Sequence, residues 1–426
     1  MSKRKKKFEG SPYTPYTIEA TTDERLISPG LLPLVEVLAA LKIKQQVDAL
    51  FTAPVSNLGH SNSNIVNTFV LMLNKGGEGL EDICILDFER ESLKLAGIKQ
   101  IPKADTLAKW LHHHGEAGVP LIHQLSRTVI AETLKSLKVK RPTLDINTTV
   151  ILAKRPYEEW GDSEYCDLIP IIGTITESGQ VIAVESQDKD APPDYDSAGF
   201  IKACQAQLSN GVELGRVRSD RVGYQKELIE DLAHQNIEFI IHARIDTAIR
   251  EVIAAVPPAD WQPLRLKDDS LSEQKWVARR SHTMQDSDTA FDIVIQRSSK
   301  SEVADLSNQG ELPGLSVPAQ SEIKQYVYRA IATNIKGLDD EQILHEYNQR
   351  GPDLKNRIRE LKYDFSAGYL PCNDFGPDSL YVCMCALAYN VFALMRARLP
   401  AEFRFARAST VRDRLFRLPP AMIQNW

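Results

Sequence analysis

Cysteine is scarce in this sequence, and its placement has no pattern. Cys84, Cys166, Cys204, Cys372, Cys383 and Cys385 show no C-x-x-C spacing and no histidine at zinc-finger distance. A metal knuckle and a disulfide framework are excluded, which leaves reduced, mostly buried thiols. Long apolar runs are also missing. Leu31-Leu32-Pro33-Leu34-Val35 falls far short of the roughly eighteen residues a membrane span needs, so no membrane partner is expected. Lys3, Arg4, Lys5, Lys6 and Lys7 make the N-terminus basic, but no secretory apolar core follows, and the expected address is the cytoplasm. There is no G-x-S-x-G nucleophile signature. Gly76-Gly77-Glu78-Gly79 lacks a following Lys-Ser or Lys-Thr and reads as a turn, not a phosphate loop.

What remains is an ordinary globular composition. The chain has 426 residues, 25% charged and 43% hydrophobic, with 22 Gly and 23 Pro, which excludes disorder and collagen and exceeds one average domain. A net charge of −6 argues against a protein that coats nucleic acid with its whole surface. Local cations matter more. Besides the basic arm, the tail carries Arg396, Arg398, Arg404, Arg407, Arg412, Arg414 and Arg417 against Glu402 and Asp413. Each end is either a phosphate contact or a solvated basic segment.

Periodicity divides the chain into five parts. Residues 1–24 lack a pattern and form a flexible basic arm. Residues 25–138 are helical throughout, from Leu31, Leu34, Val35 and Leu38 to a capped helix at Pro102–Leu111. Residues 139–245 open with three strands in a meander, at Thr143–Ile151, Leu168–Ile175 and Gln180–Glu185. Alternating helices and strands follow, giving a mixed α/β sheet with flanking helices. Residues 246–334 form a β-rich insertion, with strands around Trp276, Phe291–Gln296 and Tyr326–Thr333. Residues 335–426 return to helices: one capped by Asp339–Gln342 and broken at Gly351-Pro352, another resuming at Asp353, and a third from Ser379 to about Leu399.

Two acids stand out. Asp145 sits in an apolar strand and Asp220 ends another, after Arg216-Val217-Arg218. A carboxylate that has lost solvation needs a cation, a donor or a proton. On one reading, two such strand ends form a site for Mg²⁺, which takes hard oxygen ligands, with Asn147 on the face of Asp145 adding a neutral oxygen. On the other, both are strand-end residues bonded to Arg218 or to backbone.

Four segments bear on the choice: Pro102–Leu111; Leu144-Asp145-Ile146-Asn147; Val217-Arg218-Ser219-Asp220 with Tyr224 and Glu227-Leu228; and Asn356–Phe365 followed by Leu370-Pro371-Cys372 and Leu387-Ala388-Tyr389-Asn390. Together they resemble DDE transposases of bacterial insertion sequences, in the branch with a Tyr, Arg, Glu, Lys signature, and are most similar to the insertion sequence thirteen-eighty group. The likeness runs from about residue 25 onward. It implies a ribonuclease-H-like core with a β-rich insertion before the last catalytic helix. It also implies two Mg²⁺ or Mn²⁺ ions held by two aspartates and a glutamate, in-line strand cleavage and transfer, and double-stranded DNA bound by a homodimer in the bacterial nucleoid. Asp145 and Asp220 take the aspartate positions, and Tyr347, Arg350 and Lys362 take the Tyr, Arg and Lys positions.

The glutamate position departs from the pattern. Arg350 to Lys362 is one residue too long, so counting forward puts Leu354 in the slot and counting back puts Lys355 there. Leu354, Ile358, Leu361 and Phe365 form an apolar stripe, whereas Lys355, Arg359 and Lys362 share a second face. Lys355 is therefore the better match for the catalytic slot, and it would repel Mg²⁺. Asp353 substitutes only if the break at Pro352 turns it inward, and Glu360 points elsewhere. Asn147 replaces a common second aspartate, and Arg221-Val222 replaces Ser-Gly. The chain reads either as a transposase with an altered site or as an inactive, transposase-derived DNA-binding protein.

Arg279 and Arg280, near Trp276 and His282, combine cations with an aromatic and are read either as DNA contacts or as a hairpin with one core tryptophan. Arg404 and Arg407 are the tail residues assigned to DNA. Lys103, Lys109 and Trp110 suit a groove or ordinary packing, and His112-His113-His114 reads as an exposed helix end, not a metal tract.

Overall fold

Period-two alternation in the strands builds one sheet with two different faces. The computed structural model describes residues 29–52, 59–87, 89–149, 151, 168–187, 196–265, 270–299, 326–404 and 406–416. The basic arm and Arg417 lie outside them. Among the described residues nine strands, β1 (Thr143–Thr148), β2 (Ile171–Ile175), β3 (Val181–Glu185), β4 (Arg216–Ser219), β5 (Glu238–His242), β6 (Gln262–Arg265), β7 (Leu271–Thr283), β8 (Ala290–Ser299) and β9 (Tyr326–Thr333), pair in the order 3-2-1-4-5-9-8-7-6. The first three form an antiparallel meander, and β4 and β5 run parallel to β1. That is the ribonuclease-H-like arrangement. β9 pairs antiparallel with β5, so the strands expected as an insertion extend the same sheet.

Leu144, Ile146, Val217, Phe239 and Ile241 enter one core with the helices that alternate with these strands. Those helices are α6 (Ser197–Ala206), α7 (Lys226–His234) and α8 (Thr247–Ala254). Ile240, Val294 and Ile331 face the other way, against α9 (Asp340–Arg359). The helix starts where the sequence signals it. Asp339 Oδ1 accepts from the Gln342 N–H at 2.7 Å, and Gln342 Oε1 accepts from the Asp339 N–H at 3.0 Å, a closed capping box.

The N-terminal helices α1 (Leu32–Ala40), α2 (Ile43–Leu50), α3 (Asn62–Lys75), α4 (Arg90–Leu95) and α5 (Ala104–Leu137) pack around α10 (Phe375–Arg398), which arrives from the far end of the chain. Gly76 ends α3 with φ +97°, a conformation an L side chain rarely adopts. Asn390 ties α10 to the sheet edge, accepting from the Val181 N–H at 2.8 Å and donating to its carbonyl at 2.7 Å. Among the described residues, α10 is long and apolar enough to cross a membrane, which corrects the expectation from short apolar runs. With 89% of its apolar window buried in the protein, core packing accounts for that apolarity. Trp110 is fully buried and donates to Asn62 Oδ1 at 2.9 Å, so it is a packing residue and not a groove contact. His114 lies against Phe51 and Trp110 instead of at an exposed end, while His112 and His113 are exposed and the helix kinks at Gly115.

A cationic groove at the strand ends

Alternation places Asp145 and Asn147 on the α9 side of β1, because Leu144 and Ile146 fill the opposite core. Arg218 occupies the same side of β4, level with Asp145. The two meet in a bidentate pair: Nε to Oδ1 at 2.7 Å and Nη2 to Oδ2 at 2.9 Å. Thr176 Oγ1 also donates to Oδ2 at 2.9 Å, and the third Arg218 nitrogen donates to the Glu346 carbonyl of α9 at 2.8 Å. Burial works against the Arg218 charge, but the hydrogen bond to Asp145 and its charge outweigh it and hold the guanidinium above its ordinary range. Asp145 is 0% exposed and both oxygens are committed. In this structure the carboxylate is the internal counter-ion of Arg218.

Continuing the β1–β4 register by one step puts Asn147, not Asp145, level with Asp220. Asn147 is neutral, and its Nδ2 donates to the Thr148 carbonyl at 2.9 Å. Asp220 caps the following turn, accepting from the Val222 N–H at 3.1 Å. The buried Arg350 reaches over from α9, donates to the Ile146 carbonyl and stands 3.8 Å from Asp220 Oδ2. Tyr347 lies one turn earlier, beside His242, with the guanidinium carbons of Arg329 at 5.7 Å and Arg350 at 5.9 Å from its ring centre. Burial first, then Arg221, Arg329 and Arg350, push the His242 imidazole down to about 4. The surroundings of Asp220 are thus strongly cationic. Arg329 and His242 escaped the sequence reading because only the antiparallel β5–β9 pairing brings them together.

The helix does not break at Gly351-Pro352, as the sequence suggested. Its backbone continues to Arg359 and then widens into a π-turn, Glu360–Asp364, where the Phe365 N–H donates to the Glu360 carbonyl at 3.1 Å. Pro's fixed φ is compatible with helix, and anchoring on both sides outweighs its missing N–H. The Asp353 and Leu354 side chains lie outside the described set. Ile358, Leu361 and Phe365 are buried, as the stripe requires, and Lys355, Arg359 and Lys362 line a common cavity of about 1120 Å³. Asn147 lines it too, so Lys355 faces the cavity that reaches the β1 strand end. Glu360 instead pairs with Arg396 at 3.1 Å and caps the Ala408 N–H at 2.8 Å.

The other DNA assignments separate. Arg407 is exposed on the cavity wall, whereas Arg404 is exposed outside it. Arg279 is held by Asp340 at 2.6 Å and Asp292 at 3.4 Å, and Arg280 by Asp260 at 2.5 Å. Both are engaged in ion pairs within the fold. Arg357 and Arg396, which also line the cavity, were missed as site residues, though Arg396 stood out as part of the basic tail.

These residues do not fit the two divalent ions that the resemblance implies. Asp145 is committed, Asn147 is neutral, Lys355 is a cation, and Asp220 has Arg350 beside it. Among the described residues no group of three His, Cys, Asp or Glu side chains is arranged to hold a metal.

Residues 314–425 match the family model described as transposase DDE domain, group 1. The last quarter of the chain is therefore similar to transposase DDE domains. A search of solved structures finds the piggyBac transposase synaptic complex with hairpin DNA, seen by cryo-EM, at 10% identity and a TM-score of 0.43, covering 92% of this chain and 80% of that one. No curated protein matches.

Proposed function

We propose that this chain is a transposase-derived DNA-binding protein that keeps the ribonuclease-H-like scaffold without two-metal strand cleavage. The observation that carries this reading is the makeup of the strand-end site, where Asn147 and Lys355 line one cavity in place of two acids and Asp220 has Arg350 beside it. Carboxylates bind Mg²⁺; an ammonium in the place of one repels it and attracts phosphate. The family match over residues 314–425 supports the transposase ancestry. On this reading the partner is double-stranded DNA at the ends of an insertion element of the thirteen-eighty group, bound as a homodimer in the bacterial cytoplasm.

The test pairs two assays on the full chain: binding to duplexes carrying the terminal repeats that flank its gene, against scrambled duplexes, and strand cleavage of the same DNA with Mg²⁺ or Mn²⁺. Binding without cleavage supports the reading. Metal-dependent cleavage that survives purification and disappears in Asp220→Ala would show an active transposase instead.

A further inference from the structure

A site built for two-metal chemistry is anionic and repels phosphate until its cations arrive. The groove along the end of α9 has the opposite polarity. Six cationic side chains line it against two carboxylates, Glu360 and Asp364. Glu360 is already neutralised by Arg396. Lys355 and Arg359 are exposed on the wall, and neither is hydrogen-bonded to a carboxylate among the bonds described above. Neutral polar side chains, Asn147, Thr149 and Ser409, complete a lining suited to phosphate oxygens. The volume exceeds the roughly 300–1,000 Å³ of small-molecule pockets and suits a stretch of backbone.

Resting on the DNA-binding reading above, we propose that this groove holds DNA phosphodiesters without any divalent cation, Lys355 supplying at the strand end the positive charge that a metal would otherwise bring. Lys355 contacts phosphate directly, with Arg359 and Arg407 continuing the path. Each contact releases counterions, so binding is salt-dependent but insensitive to chelators.

Fluorescence anisotropy of the full chain on a labelled duplex, at matched ionic strength in EDTA and in Mg²⁺, tests this. The expected result is equal affinity in the two buffers. Lys355→Ala should lower the slope of log K against log salt by about 0.9, and Lys355→Glu should weaken binding on the order of tenfold. Lys355 is exposed, so an unchanged unfolding midpoint checks that both variants fold. Binding that needs Mg²⁺ overturns the metal-free groove and leaves DNA binding standing. Binding in EDTA that neither Lys355 variant alters also overturns it and places the DNA elsewhere. No binding in either buffer overturns this inference and the DNA-binding reading together.

Discussion

Asp145 and Arg218 stand level on neighbouring parallel strands and close a bidentate ion pair whose side chains are 0% and 2% exposed. A pair this deep is costly to break, because removing one partner strands the other charge away from water. Asp145→Ala should therefore cost about 3–5 kcal/mol of stability in denaturant unfolding. Combining it with Arg218→Met, which removes the orphaned charge, should recover much of that loss. Unchanged stability in Asp145→Ala would sink the buried-pair assignment.

The two readings of Asp145 in the sequence differed only in what its oxygens touch, and residue spacing carries no information on that. Strand alternation did show that Asp145 and Asn147 share a face. Which of them meets Asp220 depends on the β1–β4 register, which the parallel pairing sets across more than seventy residues of intervening chain. The stripe of Ile358, Leu361 and Phe365 and the opposing Lys355, Arg359 and Lys362 were legible because helical period is local. The break at Pro352 was misread for the converse reason, since local propensity was overridden by packing on either side. Arg279 looked available for DNA until the sheet brought Asp292 opposite and α9 brought Asp340 beside it.

Restoring acids should restore cation binding. With Asn147 level with Asp220 and Lys355 facing the same cavity, Asn147→Asp combined with Lys355→Glu converts the site to three carboxylates. Calorimetric titration with Mn²⁺ should show binding in the double variant and none at the same concentrations in the natural chain. Lys355→Glu alone should bind weakly, because Asn147 remains neutral. Tight Mn²⁺ binding by the natural chain, lost in Asp220→Ala, would contradict the cationic description of this site.

The two tail arginines should separate. Arg407 lies on the cavity wall and Arg404 outside it. Arg407→Glu should weaken DNA binding on the order of tenfold and flatten the salt dependence by about one unit of slope, as expected for a lost phosphate contact. Arg404→Glu should change affinity less. Equal effects from the two variants would mean that the DNA path does not follow the cavity.

Acid should destabilise the fold through its buried imidazoles. Burial pushes His123 down to about 4, with its Nε2 accepting from the Val184 N–H at 3.2 Å, and His114 and His242 are likewise lowered to about 4. A folded-state value below the unfolded 6.5 means that the unfolded chain binds more protons between them. Stability is then full above about 6.5, falls as pH drops, and levels off near 4. Asp378 runs the other way: burial raises its carboxyl to about 6, so the folded state gains a proton there and recovers a little stability in the same window. His60 and His282 are also lowered by burial, and Glu185 is also raised by burial and by Asp196; with five imidazoles against two carboxyls, the net slope is a loss. Denaturant unfolding from pH 7 to pH 4 should show the decline, and His123→Gln, which keeps an acceptor for the Val184 N–H without a titrating ring, should make it shallower. An equally steep decline in that variant would remove His123 from the cause.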